Sequence, residues 1–128
     1  MDTLMYIMFG ATSLRGVGPA VEHWRPKMTA LGTTIADAAW QTFHRDSIVD
    51  ELAGTTVPVL AVAGAEDHAY PPSVSDAHIA TATGGRSVTL EAAGHSVALE
   101  QPDRVPDLLL EHFAASSGSA TPDWPAGG

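Results

Sequence analysis

Val57-Pro58-Val59-Leu60-Ala61-Val62-Ala63-Gly64-Ala65-Glu66-Asp67 and Ser87-Val88-Thr89-Leu90-Glu91-Ala92-Ala93-Gly94-His95 decide the architecture of this chain. Each is a β-prone run that stops near a Gly and then presents a polar side chain, an acid in the first and an imidazole in the second. The first is apolar at successive positions instead of alternating, which predicts a strand over 57–63 covered on both faces, as in a parallel sheet. Pro58 belongs at the start of that strand, where a missing N–H does least harm. The second run predicts a shorter strand over 87–91. Between them, Pro71-Pro72 precedes Ser73, a good N-cap with Asp76 at the reciprocal position, and the helix that follows ends at Gly84-Gly85. Strand, helix, strand in this order is a parallel α/β unit, with Asp67 and His95 at neighbouring carboxyl ends. An acid and a histidine so placed are the second and third members of a nucleophile–His–acid triad.

Working outward, a last helix is expected from about Asp103, with Pro106 in its first turn and Val105, Leu108, Leu109, His112 and Phe113 on one face. Towards the amino terminus, Leu4, Ile7, Met8 and Ala11 share a helical face and predict a helix over 2–12, broken by Gly16-Val17-Gly18-Pro19. A second short helix covers 20–31, interrupted by Pro26. Thr33 or Thr34 can cap a third running to about Leu52. Residues 116–128 have linker composition and read as a disordered tail.

The chain has 128 residues, enough for one domain, and its 45% apolar content suits a globular core. Six Lys+Arg against fifteen Asp+Glu leave a net charge of −9, which would repel a phosphate backbone and an anionic membrane surface. Neither nucleic acid nor membrane is an expected partner. With no Cys, disulfides and thiolate chemistry are excluded, in keeping with a reducing compartment. The segment Met1-Asp2-Thr3-Leu4-Met5-Tyr6-Ile7-Met8-Phe9 has no basic head and is too short to cross a bilayer, so a cytoplasmic location is expected. The six His match no zinc-ligand spacing, and no metal or other cofactor is expected.

Two segments carry a family resemblance. One is Val57-Pro58-Val59-Leu60 through Gly64-Ala65-Glu66-Asp67-His68-Ala69-Tyr70-Pro71-Pro72. The other is Ala93-Gly94-His95-Ser96-Val97-Ala98-Leu99-Glu100-Gln101-Pro102-Asp103. Together they resemble the carboxyl-terminal half of an α/β-hydrolase-fold protein, in which the first places the triad acid and the second the triad histidine. The resemblance implies a partial α/β-hydrolase fold: a helical cap-like segment over 1–52, then the last two parallel strands and their helices over 53–115. It implies Asp67 and His95 as catalytic residues, with His95 passing the proton and Asp67 orienting the imidazole. His68 and Tyr70 would edge a substrate crevice, with Trp40 and Phe43, and also Trp24, lining it under the cap; plain packing is the competing reading for each. Glu66 reads as a surface carboxylate.

The family's Gly-x-Ser-x-Gly nucleophile elbow is missing from these residues, and Gly10-Ala11-Thr12-Ser13 fits it in neither spacing nor context. The expectation is therefore an esterase- or lactonase-like hydrolase of small carbonyl substrates, present as a truncated chain and inert alone. Two uncovered strands would favour self-association or docking with a missing amino-terminal half. The alternatives are a non-catalytic binding or interaction fragment, a gene remnant, and a subunit that completes a partner's site.

Overall fold

The computed structural model describes residues 3–117. The chain is mixed α/β. Its elements are α1 (Thr3–Met8), α2 (Ala11–Gly16), α3 (Pro19–Leu31), α4 (Ala36–Phe43), α5 (Val49–Leu52), β1 (Leu60–Gly64), α6 (Asp76–Thr83), β2 (Arg86–Leu90), α7 (Val97–Glu100) and α8 (Arg104–Ser117). Short 3-10 turns lie at Gly32–Ile35 and Pro72–Val74.

β1 and β2 pair in parallel, in register from Leu60 opposite Arg86 to Gly64 opposite Leu90. The pleat sends alternate side chains to opposite faces. Leu60, Val62, Val88 and Leu90 share one face with Ala93, Val97, Val105 and Leu108, so α7 and α8 cover it. Ala61 and Ala63 point the other way and are buried, and α6 lies against both strands. Both faces of β1 are thus covered, as its unbroken apolarity requires. The strand starts later than expected, at Leu60, so Pro58 precedes it, although Val59 O still accepts from Arg86 N–H at 2.9 Å.

The amino-terminal helices build a separate apolar cluster. Met5, Phe9 and Val21 are fully buried, with Met8, Leu14, Trp24 and Met28 packed around them. Trp24 is accordingly a core residue of this cluster. The expected single helix over 2–12 is broken at Gly10, which is extended (φ −66°, ψ 155°) and caps α2. The residue that closes α2 in the left-handed region is Val17 (φ 47°), not either flanking glycine. α3 runs through Pro26 without ending.

Three other expectations shift. The helix from Thr34 to Leu52 is two helices: Thr34 Oγ1 turns back to Leu31 O at 2.5 Å instead of capping. Within that span His44 closes α4, its backbone N–H and its Nδ1 both meeting Trp40 O. The helix expected from Ser73 begins at Asp76, after the 3-10 turn. Asp76 is 1% exposed there, with Oδ2 accepting from the Thr89 hydroxyl on β2 at 3.1 Å and Oδ1 without a partner among the described residues. On α8, Leu108 is buried and Val105 half-buried, but Leu109 and Phe113 are exposed, because so narrow a sheet covers only a strip of the helix. α8 also runs on through Ser116 and Ser117, where a linker was expected; the rest of that tail, 118–128, lies outside the described residues. No helix among the described residues is long and apolar enough to cross a membrane.

Candidate active site

The site begins where β1 ends. Ala65 N–H donates to Leu90 O at 2.9 Å, extending the ladder by one residue, and Asp67 N–H then turns back to Gly64 O at 3.1 Å. Asp67 fixes its own loop: Oδ1 accepts from the backbone N–H groups of Ala69 and Tyr70 at 2.8 and 2.9 Å, an Asx turn. Oδ2 is left facing the neighbouring loop, where it meets His95 Nδ1 at 2.9 Å. The two side chains named from the strand ends are therefore brought together at one rim of the parallel pair.

Their exposures set their chemistry. The Asp67 side chain is 7% exposed and that of His95 38%. An ionised carboxylate only accepts, so Nδ1–H is the donor, and in the neutral imidazole Nε2 keeps its lone pair. Among the described residues Nε2 has no hydrogen-bond partner. The outer edge of the ring is thus an open base, oriented from behind by a buried acid.

Close backbone contact puts His95 there. A side chain at Gly64 would run into the carbonyls of Ala93 and Gly94, so the histidine loop lies directly on the end of β1. A side chain at Gly94 would in turn strike Phe9 and Gly10, so the break between α1 and α2 lies on the other side of the same loop. Glycine is required at both positions for close approach, not for an unusual φ. Hydrogen bonds seal the contact: Ser96 N–H donates to Met8 O at 3.0 Å. Glu100 accepts from Gly94 N–H with Oε1 and from Gly10 N–H with Oε2, each at 2.8 Å.

Glu66 is a surface carboxylate with partners. It accepts from Thr12 N–H at 2.7 Å and from Thr12 Oγ1–H at 2.5 Å, anchoring the first turn of α2 to the acid loop. The Thr12 hydroxyl bond, then the backbone bond, hold its carboxyl below the ordinary value of 4.5, with Arg15 and His68 adding smaller favourable fields. A hydroxyl on a carboxylate has the form of a nucleophile with its base. Here the backbone N–H of the same residue shares the carboxylate, and the pair is an anchor.

The other expected site residues divide. Tyr70 stands beside the dyad, its ring centroid 6.5 Å from that of His95. His68 stacks on Tyr6 of α1 at 4.6 Å, almost parallel, a packing contact between the acid loop and α1. Trp40 stacks on its neighbour His44, and Trp40 and Phe43 are exposed on α4. No described hydrogen bond or ring contact links them to Asp67 or His95. Tyr6 and Thr12 were not legible as site neighbours, since each joins the loops from far away in sequence with no local motif to mark it; Glu100 stands in the segment that carries the resemblance, six positions after Gly94, and only its bond to Gly10 was not legible. No group of His, Asp and Glu among the described residues could hold a metal ion.

No protein-family model matches this chain, and comparison with curated proteins gives no significant match.

Proposed function

We propose that Asp67 and His95 are the acid–base half of an acyl-transfer site of α/β-hydrolase type, acting on a small ester or lactone. The observation that carries this reading is the 2.9 Å bond from His95 Nδ1 to the buried carboxylate of Asp67, with Nε2 open. In such a site Nε2 takes the proton of a hydroxyl nucleophile as it attacks the carbonyl carbon, then returns it to the leaving group. Asp67 keeps the proton on Nδ1 and stabilises the imidazolium formed in between. The parallel order of β1 and β2, and the glycines that end each run, agree with a partial α/β-hydrolase core in which 1–52 corresponds to a cap.

This reading needs a nucleophile and oxyanion donors from polypeptide outside residues 1–128, because these residues hold no Gly-x-Ser-x-Gly turn. Triad members act as a unit, so the chain alone is expected to be inert. The test assays p-nitrophenyl acetate with the chain alone and with the chain expressed together with the coding sequence that adjoins it. The expected result is no turnover above buffer for the chain alone. The joined protein should hydrolyse the ester, lose activity in His95→Ala, and lose on the order of 10⁴-fold in Asp67→Asn. Turnover by the joined protein that ignores His95, or none at all, overturns the reading.

A further inference from the structure

We infer that Glu100 is a positioning residue for His95. The inference rests on the dyad reading above and gives Glu100, which stands in the segment that carries the resemblance, a role argued from its bonds. His95 has no side-chain hydrogen bond among the described residues except that to Asp67, so its placement depends on its backbone. That backbone is held on both sides. Before it, Gly94 N–H donates to Glu100 Oε1; after it, Ser96 N–H donates to Met8 O. Glu100 also takes Gly10 N–H on its second oxygen, so one carboxylate ties the histidine loop to the α1–α2 junction.

Both bonds are charge-assisted and part-buried, hence stronger than ordinary backbone contacts. The geometry leaves little room for substitutes. Gly94 and Gly10 lie in direct backbone contact, and their N–H groups converge on one carboxylate, each on its own oxygen. Glu100 reaches them from the end of α7, a four-residue helix whose N-cap, Ser96, adjoins His95. Loss of the carboxylate leaves two buried donors unsatisfied at the residue before the imidazole and at the segment beneath it. The loop is then free to turn, and the Nδ1–Oδ2 bond loosens without any change at Asp67.

The test reads the His95 tautomer by long-range ¹H–¹⁵N correlation in the full chain at a pH where the ring is neutral. In the wild type, His95 should carry its proton on Nδ1, and the amides of Gly10 and Gly94 should exchange slowly with deuterium. Glu100→Ala should shift the ratio of Nδ1–H to Nε2–H by about tenfold towards Nε2–H, the size of one ordinary hydrogen bond. Glu100→Gln, which keeps one good acceptor oxygen, should give an intermediate ratio, and Glu111→Ala on α8 should change nothing. An unchanged tautomer in folded Glu100→Ala, even with a lowered melting temperature, overturns the positioning role and leaves the dyad standing. If Glu100→Ala does not fold, an unchanged ratio in Glu100→Gln, or fast exchange at both glycine amides in the wild type, overturns it equally. A wild-type His95 protonated on Nε2 overturns the dyad itself.

Discussion

Asp67→Asn changes almost nothing in size and should reverse the tautomer of His95. The reason lies on the far side of the acid. Oδ1 accepts from two backbone donors, Ala69 N–H and Tyr70 N–H. An asparagine must keep its oxygen there, since its NH₂ in that position would face two N–H groups and forfeit both bonds. At about 1 kcal/mol for each bond, the retained orientation leads by ~2 kcal/mol or more, roughly thirtyfold. The NH₂ then occupies the place of Oδ2, 2.9 Å from His95 Nδ1. Nδ1 must now accept, and the ring proton moves to Nε2, where it blocks the open base. The assay is the ¹⁵N shift pattern of the ring: pyrrole-like Nδ1 and pyridine-like Nε2 in the wild type, interchanged in the variant. A second readout is stability, expected to fall by about 1–3 kcal/mol as charge-assisted bonds become neutral. A variant whose ring keeps its proton on Nδ1 would refute the reasoning, because it would mean that Asp67 does not dictate the tautomer.

Three further outcomes follow from the same loops. Ala92 sits at φ 57° between β2 and the histidine loop, so Ala92→Gly should stabilise the fold by about 0.5–1 kcal/mol in urea denaturation, the relief of left-handed strain less the added chain entropy; a loss of stability would show that the methyl group packs usefully. Glu66 has a folded-state pKa below its ordinary 4.5, so its contribution is fully present above that value and is lost as pH falls through the lower folded one. The stability difference between wild type and Glu66→Gln should therefore vanish with acidification across that window, and a difference that persists at lower pH would contradict the Thr12 anchor. Gly10→Ala would place a methyl 2.6 Å from Glu66 Oε2 and 2.8 Å from Gly94 N and should cost about 1–3 kcal/mol; in hydrogen exchange, the Gly94 and Ser96 amides should speed up while those of Ala69 and Tyr70 stay protected.

The parallel pair and the dyad were legible because each depends on signals a few residues long. A buried strand writes itself as an unbroken apolar run, and two parallel strands must deliver their next residues to the same rim, whatever else the chain does. Periodicity over 2–12 found a helix there but set its face on Leu4, Ile7, Met8 and Ala11, whereas the fully buried pair, one turn apart, is Met5 and Phe9. It missed the break at Gly10, which comes from that glycine lying against Gly94. The Thr12 partner of Glu66 and the Gly10 partner of Glu100 are 54 and 90 positions away, and no local signal tells that an acid will reach a helix turn so distant in sequence. Ser73 was a sound cap by composition. It lost to Ser75, whose hydroxyl is held by the carbonyls of Tyr70 and Pro71 and whose own carbonyl accepts from Ile79 N–H.

The two halves of the dyad are held by different physics. Asp67 is fixed by its own turn, with bonds to residues two and three positions ahead, so any chain that forms β1 and this loop presents the acid. His95 has no such local support. Its loop is pinned between the end of β1 and the α1–α2 junction, by Glu100 on one side and by Met8 O on the other. The amino-terminal helices are therefore part of what orients the imidazole, and do more than cover the site. A change in their packing would reach His95 through Gly10 and Met8, and the acid loop through the Thr12–Glu66 bonds and the Tyr6–His68 stack. On the proposed reading, the segment that corresponds to a cap and the end of the strand that carries the acid place the base together.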